Sequence, residues 1–122
     1  MAALTTQNLV DAGTAPTLTG AASVSDTVEV GNGKNTFLYV ANTDSVNHVI
    51  KIVVPGNTSY GQANPDPAIT VVATSGTAWI PLRKEFQDAA VAGVGRATVN
   101  AYVADGVTPG ATGVKYAVIQ VG

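Results

Sequence analysis

Cysteine is absent from this chain of 122 residues, and histidine, methionine and tryptophan occur once each. The missing cysteine excludes disulfides, thiolate metal sites and cysteine nucleophiles together, and it suits folding in a reducing cytoplasm. With His48 as the sole histidine, a transition-metal site of the usual type is not expected, nor is any cofactor. Charge is scarce too. Only 11% of residues are charged, less than half of the ~25% common in soluble domains. The net charge is −2, and of the basic residues Lys34, Lys51, Arg83, Lys84, Arg96 and Lys115 only Arg83 and Lys84 are adjacent. Such a chain has no electrostatic footprint for nucleic acid or an anionic membrane. No window approaches the ~20 apolar residues that span a bilayer. The opening Met1-Ala-Ala-Leu-Thr-Thr-Gln-Asn8 lacks the basic start and apolar run of a secretory signal.

What the chain does have is apolar residues, 46% of the total, spread among Thr, Ser, Asn, Gly and Ala. This is not a disordered composition, and the length suits one domain. Two regions differ. Residues 1–25 are rich in Ala, Thr, Ser and Gly, carry Asp11 as their sole charge, and are interrupted at Gly13, Pro16 and Gly20. They read as an extended N-terminal arm with one short strand near residues 8–11. Residues 26–122 read as the folded β-domain.

From Asp26 the apolar residues recur with period two. Val28 and Val30 share a face, and Gly31-Asn-Gly33 reads as a tight hairpin turn. Thr36-Phe-Leu-Tyr-Val-Ala41 is apolar on both faces, so it is central or covered by a partner. Strands are expected at 48–54, at 68–74 with Ile69, Val71 and Ala73 inward, and at 77–82. Pro81 places the last of these at an edge or at its own end. A helical turn is expected over 83–90. Strand 96–103 turns Ala97, Val99, Ala101 and Val103 inward and Thr98 outward, and 114–121 is the final strand. Seven or eight short strands rich in Val, Ile and Thr, with one helical turn, must cover their inner faces with one another. The fold class is therefore all-β, a β-sandwich or jelly-roll-like arrangement.

Chemistry-bearing patterns are sparse. His48 shares parity with Ile50 and Ile52, as a satisfied strand histidine would, and no Gly-x-Ser-x-Gly elbow accompanies it. Gly31-Asn-Gly-Lys-Asn-Thr36 lacks the glycine spacing and the following helix of a phosphate loop. Asp66, in Asn64-Pro-Asp-Pro67, is a single loop carboxylate and not a calcium site. Trp79 and Tyr60 are the best aromatics for a sugar cleft and read as core or rim. No catalytic, cofactor-binding or metal residue is assigned, and the chain is not expected to be an enzyme.

The order of motifs nevertheless has a likeness. After a Thr/Ala-rich lead come Asp26-Thr-x-x-x-Gly-Asn-Gly33, Thr36-Phe-Leu-Tyr-Val-Ala-Asn42 and a Val-rich strand ending in Pro55-Gly56. Trp79-Ile-Pro-Leu82 leads to Glu85-Phe-Gln-Asp88, and Gly93-x-Gly-Arg-Ala-Thr-Val99 and Tyr116-Ala-Val-Ile119 follow. From residue 5 onward this resembles the capsid decoration (cement) proteins of tailed bacteriophages. The resemblance implies a structural virion protein on the capsid exterior. Its partners would be the major capsid protein and further copies of itself, as a trimer or another cyclic homo-oligomer. The alternatives are a phage tail or fibre component, or a carbohydrate-binding or adhesin β-sandwich module. On the decoration reading the arm grips the shell by strand addition, and removing residues 2–20 leaves a folded domain.

Overall fold

The computed structural model describes residues 2–10, 13, 17–20, 25–31, 34–56, 59–62, 65–88 and 92–121. Alternation of β-branched and polar residues produces the expected all-β chain. Its strands are β1 (Ala2–Ala3), β2 (Thr6–Asn8), β3 (Thr19–Gly20), β4 (Ser25–Glu29), β5 (Thr36–Asn42), β6 (His48–Ile52), β7 (Ala68–Val71), β8 (Gly76–Pro81), β9 (Arg96–Val103) and β10 (Val114–Gln120). A 3-10 turn, Lys84–Phe86, stands where a helical turn was expected; residues 89 and 90 of that reading lie outside the described residues.

The strands form two sheets, sheet A in the order β1-β4-β9-β6-β7 and sheet B in the order β2-β10-β5-β8, with β3 pairing β10 beside β2. The inner faces carry the core. Val28, Ala97, Val99, Ala101, Ile50, Ile52 and Val71 from sheet A meet Leu38, Val40, Ile80, Val114, Tyr116 and Val118 from sheet B. Each of these positions follows the parity of its strand. Val99 is fully buried, whereas Ile69, on edge strand β7, is only half-buried against the core.

Three local readings change. β4 belongs to sheet A and β5 to sheet B, so the two strands are not partners in a hairpin; residues 32 and 33 of the expected turn lie outside the described residues. Two-sided burial of a small sandwich favours crossings between sheets, which local turn signals do not reveal. Strand β7 ends at Val71, and a tight turn follows in which Thr74 takes a φ of 74°. That turn leaves no room at Gly76, where a Cβ would collide with the Val72 backbone. Thr98, expected at the surface, is 5% exposed although it points outward beside Thr27.

The described part of the N-terminal segment runs extended along the sandwich. β1 pairs in parallel with β4, the Leu4 amide donates to the Thr27 carbonyl, and β2 pairs in parallel with β10. The segment thus passes from sheet A to sheet B across one open side, and Leu4 joins the core at 8% exposure. The strand read near 8–11 lies at Thr6–Asn8, with residues 11 and 12 outside the described set. The Gln7 carboxamide closes the loop that follows, donating to the Thr17 carbonyl and accepting from its amide, both at 2.8 Å. The opposite side, between edge strands β7 and β8, has no such strap among the described residues.

Candidate interaction surface

The outward faces of the two sheets differ in chemistry. On sheet A, several outward cross-strand neighbours are polar and joined to each other. Ser25 Oγ donates to Asn100 Oδ1 at 2.6 Å, and Lys51 Nζ lies 4.9 Å from the centre of the Tyr102 ring. Arg96 donates through Nε to Thr27 Oγ1 and through its terminal nitrogen to the Thr27 and Leu4 carbonyls. It also lies 3.4 Å from Glu29. Arg96 thereby ties the strap to the sheet, and the face suits water.

Sheet B turns a different set outward. Register places Pro81, Phe37 and Ile119 in one row and Trp79, Tyr39 and Ala117 in the next. Ala117 and Ile119 are buried by their neighbours, Phe37 and Tyr39 are half-buried, and Pro81 is exposed. Trp79 is 59% exposed, and its ring packs on Tyr39 with centroids 4.7 Å apart and planes tilted by 49°. Lys115 is the charged group that register places on this face, opposite Ala41. The two-faced apolar pattern of residues 36–41 therefore has a double origin. Leu38 and Val40 serve the core, and Phe37 and Tyr39 serve an aromatic outer face. Contiguous apolar surface of this kind marks interaction sites in soluble proteins.

Of the residues weighed for chemistry, Trp79 sits on this face, and His48, Asp66 and Tyr60 belong to other elements. His48 is 1% exposed. Its Nδ1 donates to the carbonyls of Tyr102 and Gly110 at 2.9 and 3.1 Å, and its Nε2 meets Asp44 Oδ2 at 2.9 Å. Both ring nitrogens are thus engaged in joining loop 43–47 to loop 104–113. Buried Asn42 extends the same work, donating to the Val46 and Val71 carbonyls and accepting from the Asp44 amide. The hydrogen bond from His48, followed by that from the Ser45 amide, holds the Asp44 carboxyl below its usual range. Asp105 is lowered likewise, by the amides of Thr108 and Val107 and then by the Thr108 hydroxyl. Asp66 Oδ1 accepts from the Val54 amide, which fixes loop 53–67 to the end of β6. Tyr60 stands 92% exposed in that loop. Among the described residues no three His, Cys, Asp or Glu side chains gather in a way that could hold a metal ion.

One buried acid was missed by sequence reasoning. Asp26 is fully buried and faces inward, opposite Val99. Its parity with Val28 and Val30 was the available signal. Burial, and after it the negative charge of Asp26, push the Tyr116 phenol well above its ordinary range. The phenol therefore stays protonated inside the core.

No known protein family, curated protein or solved structure matches this chain.

Proposed function

We propose that this chain is a structural virion protein that binds the outer surface of an icosahedral phage capsid and stabilises it. The observation that carries the reading is the aromatic outer face of sheet B, with Trp79 over half exposed beside Tyr39, set against a polar and internally bonded outer face on sheet A. A sandwich that keeps one face for water and leaves the other apolar is suited to lie against protein. Low charge favours broad contact with a shell over electrostatic capture of a ligand. The motif order from residue 5 onward supplies the particular shell, through its resemblance to the decoration proteins of tailed phages. The major capsid protein and neighbouring copies of this chain are the partners on this reading, and the role is mechanical.

Co-sedimentation tests it. Undecorated shells mixed with the purified protein are expected to carry it down at a fixed ratio to the major capsid protein, and to resist heat better for it. Trp79→Ser combined with Tyr39→Ser is expected to lower occupancy by about ten-fold or more, as loss of central aromatic anchors does, with the far-UV spectrum unchanged. Failure of the intact protein to bind any shell would end the decoration reading.

A further inference from the structure

The strap closes one side of the sandwich, and the other side holds a slot. Edge strands β7 and β8 are joined at one end by the tight turn through Thr74. Toward the other end a cavity of about 190 Å3 opens between them, lined by Pro67, Ile69, Trp79, Phe86 and Arg83 among others. Its floor is apolar, and Arg83 is the charged group in its lining. That guanidinium is exposed, and among the described residues no ion pair or hydrogen bond engages it. Asp66, the nearest acid in sequence on the β7 side, is already held by the Val54 amide. Lys84 follows Arg83 and is exposed as well.

The backbone adds a direction. The Leu82 amide donates to the Thr36 carbonyl, and register then places Ile80 and Ala78 in the same bonding phase toward β5. In an antiparallel pair the alternate residues point the other way, so the amides and carbonyls of Thr77 and Trp79 face the free edge of β8. Pro81 is next in that phase and has no amide to offer, so pairing along this edge must stop beside Arg83.

We propose that the slot binds the C-terminal end of a partner protein whose last side chain is apolar. The segment pairs with the Thr77–Trp79 edge, runs parallel to β8 and ends at Pro81. Its final side chain enters the slot, and its terminal carboxylate meets Arg83. A chain that ends there loses no hydrogen bond to the missing Pro81 amide. Charge complementarity selects the terminus: Arg83, whose guanidinium is unengaged, lines an apolar slot, and a chain end carries its carboxylate on the same residue as the apolar side chain. An arginine fork and a carboxylate form the strongest class of such contacts. This inference names a ligand chemistry that the capsid reading does not require, although Trp79 and Pro81 border both the slot and the outer face of sheet B.

The sole tryptophan of the chain lines the slot, so its emission and its indole N–H resonance report occupancy directly. The probe is the peptide acetyl-Gly-Ser-Leu as the free acid, compared with the same peptide as its C-terminal amide. The acid is expected to give a saturable change, and the amide to bind about ten-fold or more weakly. Arg83→Gln is expected to bring the acid down to the level of the amide and to leave the amide unchanged, while Arg83→Lys falls between. Equal binding of acid and amide, an Arg83→Gln variant that binds the acid like the parent, or no saturable response at about 10 mM peptide would overturn the proposal. No shell is present in this experiment. A protein that takes the acid peptide but ignores shells keeps the slot and loses the decoration reading.

Discussion

At the scale of single residues, some polar groups join loops, whereas the buried Thr98 hydroxyl does not. Asp44 and Asp105 both hold their segments through hydrogen bonds that favour the ionised form. Each therefore has a folded-state value below its unfolded one, which lies near ~3.9. The stability they contribute is fully present above the unfolded value and is lost as pH falls through the folded one. Thermal midpoints are expected to hold from about pH 7 to 5 and to fall progressively below about pH 4. The combination Asp44→Asn with Asp105→Asn should start lower and show a shallower fall; calorimetry across that range decides it, and an unchanged slope would deny these carboxyls the role. Thr98 behaves differently. Its Oγ1 is buried and has no hydrogen-bond partner among the described residues. A buried hydroxyl left unpaired costs free energy, and valine has the same shape and a higher strand preference. Thr98→Val is therefore expected to raise stability by about 1 kcal/mol, measured by urea denaturation. A loss would show that the hydroxyl is satisfied in solution.

At the scale of elements, strands with clean alternation were legible and their partners were not. Residues 96–103 appear as β9 with the expected bounds, because eight alternating residues leave one face for the core. The sheet switch after Gly31 was hidden, because Gly and Asn signal a tight turn equally well within a sheet or between sheets. The strap was hidden for another reason. Ala2–Ala3 and Thr6–Asn8 are too short for periodicity to show, and only the packing of Leu4 explains them. The signal for burial of Asp26 was its parity with Val28 and Val30, set against the rarity of buried carboxylates. The strap bears on truncation. Sequence alone suggests that removal of residues 2–20 leaves the domain intact. In the structure the same cut strips Leu4 from the core, the backbone partners from β4 and β10, and one acceptor from Arg96. Leu4→Ala is expected to cost about 2–3 kcal/mol, toward the low end for buried leucine because a strap can settle onto the seam. Deletion of residues 2–8 should cost more and promote aggregation through the two bared edges. Denaturant midpoints for the two variants against the parent test this; parity with the parent would mean that the strap is not docked in solution.

At the scale of the whole molecule, the deciding property is the inequality of the two outer faces. Sheet A joins several of its outward side chains to one another, through the Ser25–Asn100 bond, the Arg96 cluster and Lys51 over Tyr102. Sheet B sets Trp79 and Pro81 in the open and half-covers Phe37 and Tyr39. A face of that kind lowers its free energy when it meets another apolar surface, by roughly 25 cal/mol for each Å2 removed from water. In the absence of a shell, the most available such surface is the same face on a second copy, and closed symmetric association satisfies both. Light scattering is therefore expected to show mass rising with concentration, accompanied by a blue shift of the Trp79 emission. The salt response should identify the force. Charge steering would weaken as sodium chloride is added, because screening shortens the reach of charges. Apolar burial should persist in sodium chloride and strengthen in sulfate. With Lys115 as the charged residue in the outward rows, the second pattern is expected. Trp79→Ser should shift the association toward higher concentration, whereas Lys51→Ser, on the opposite face, should leave it unchanged. Mass that stays monomeric at all concentrations, with Trp79 emission constant, would show that the aromatic face does not associate with itself.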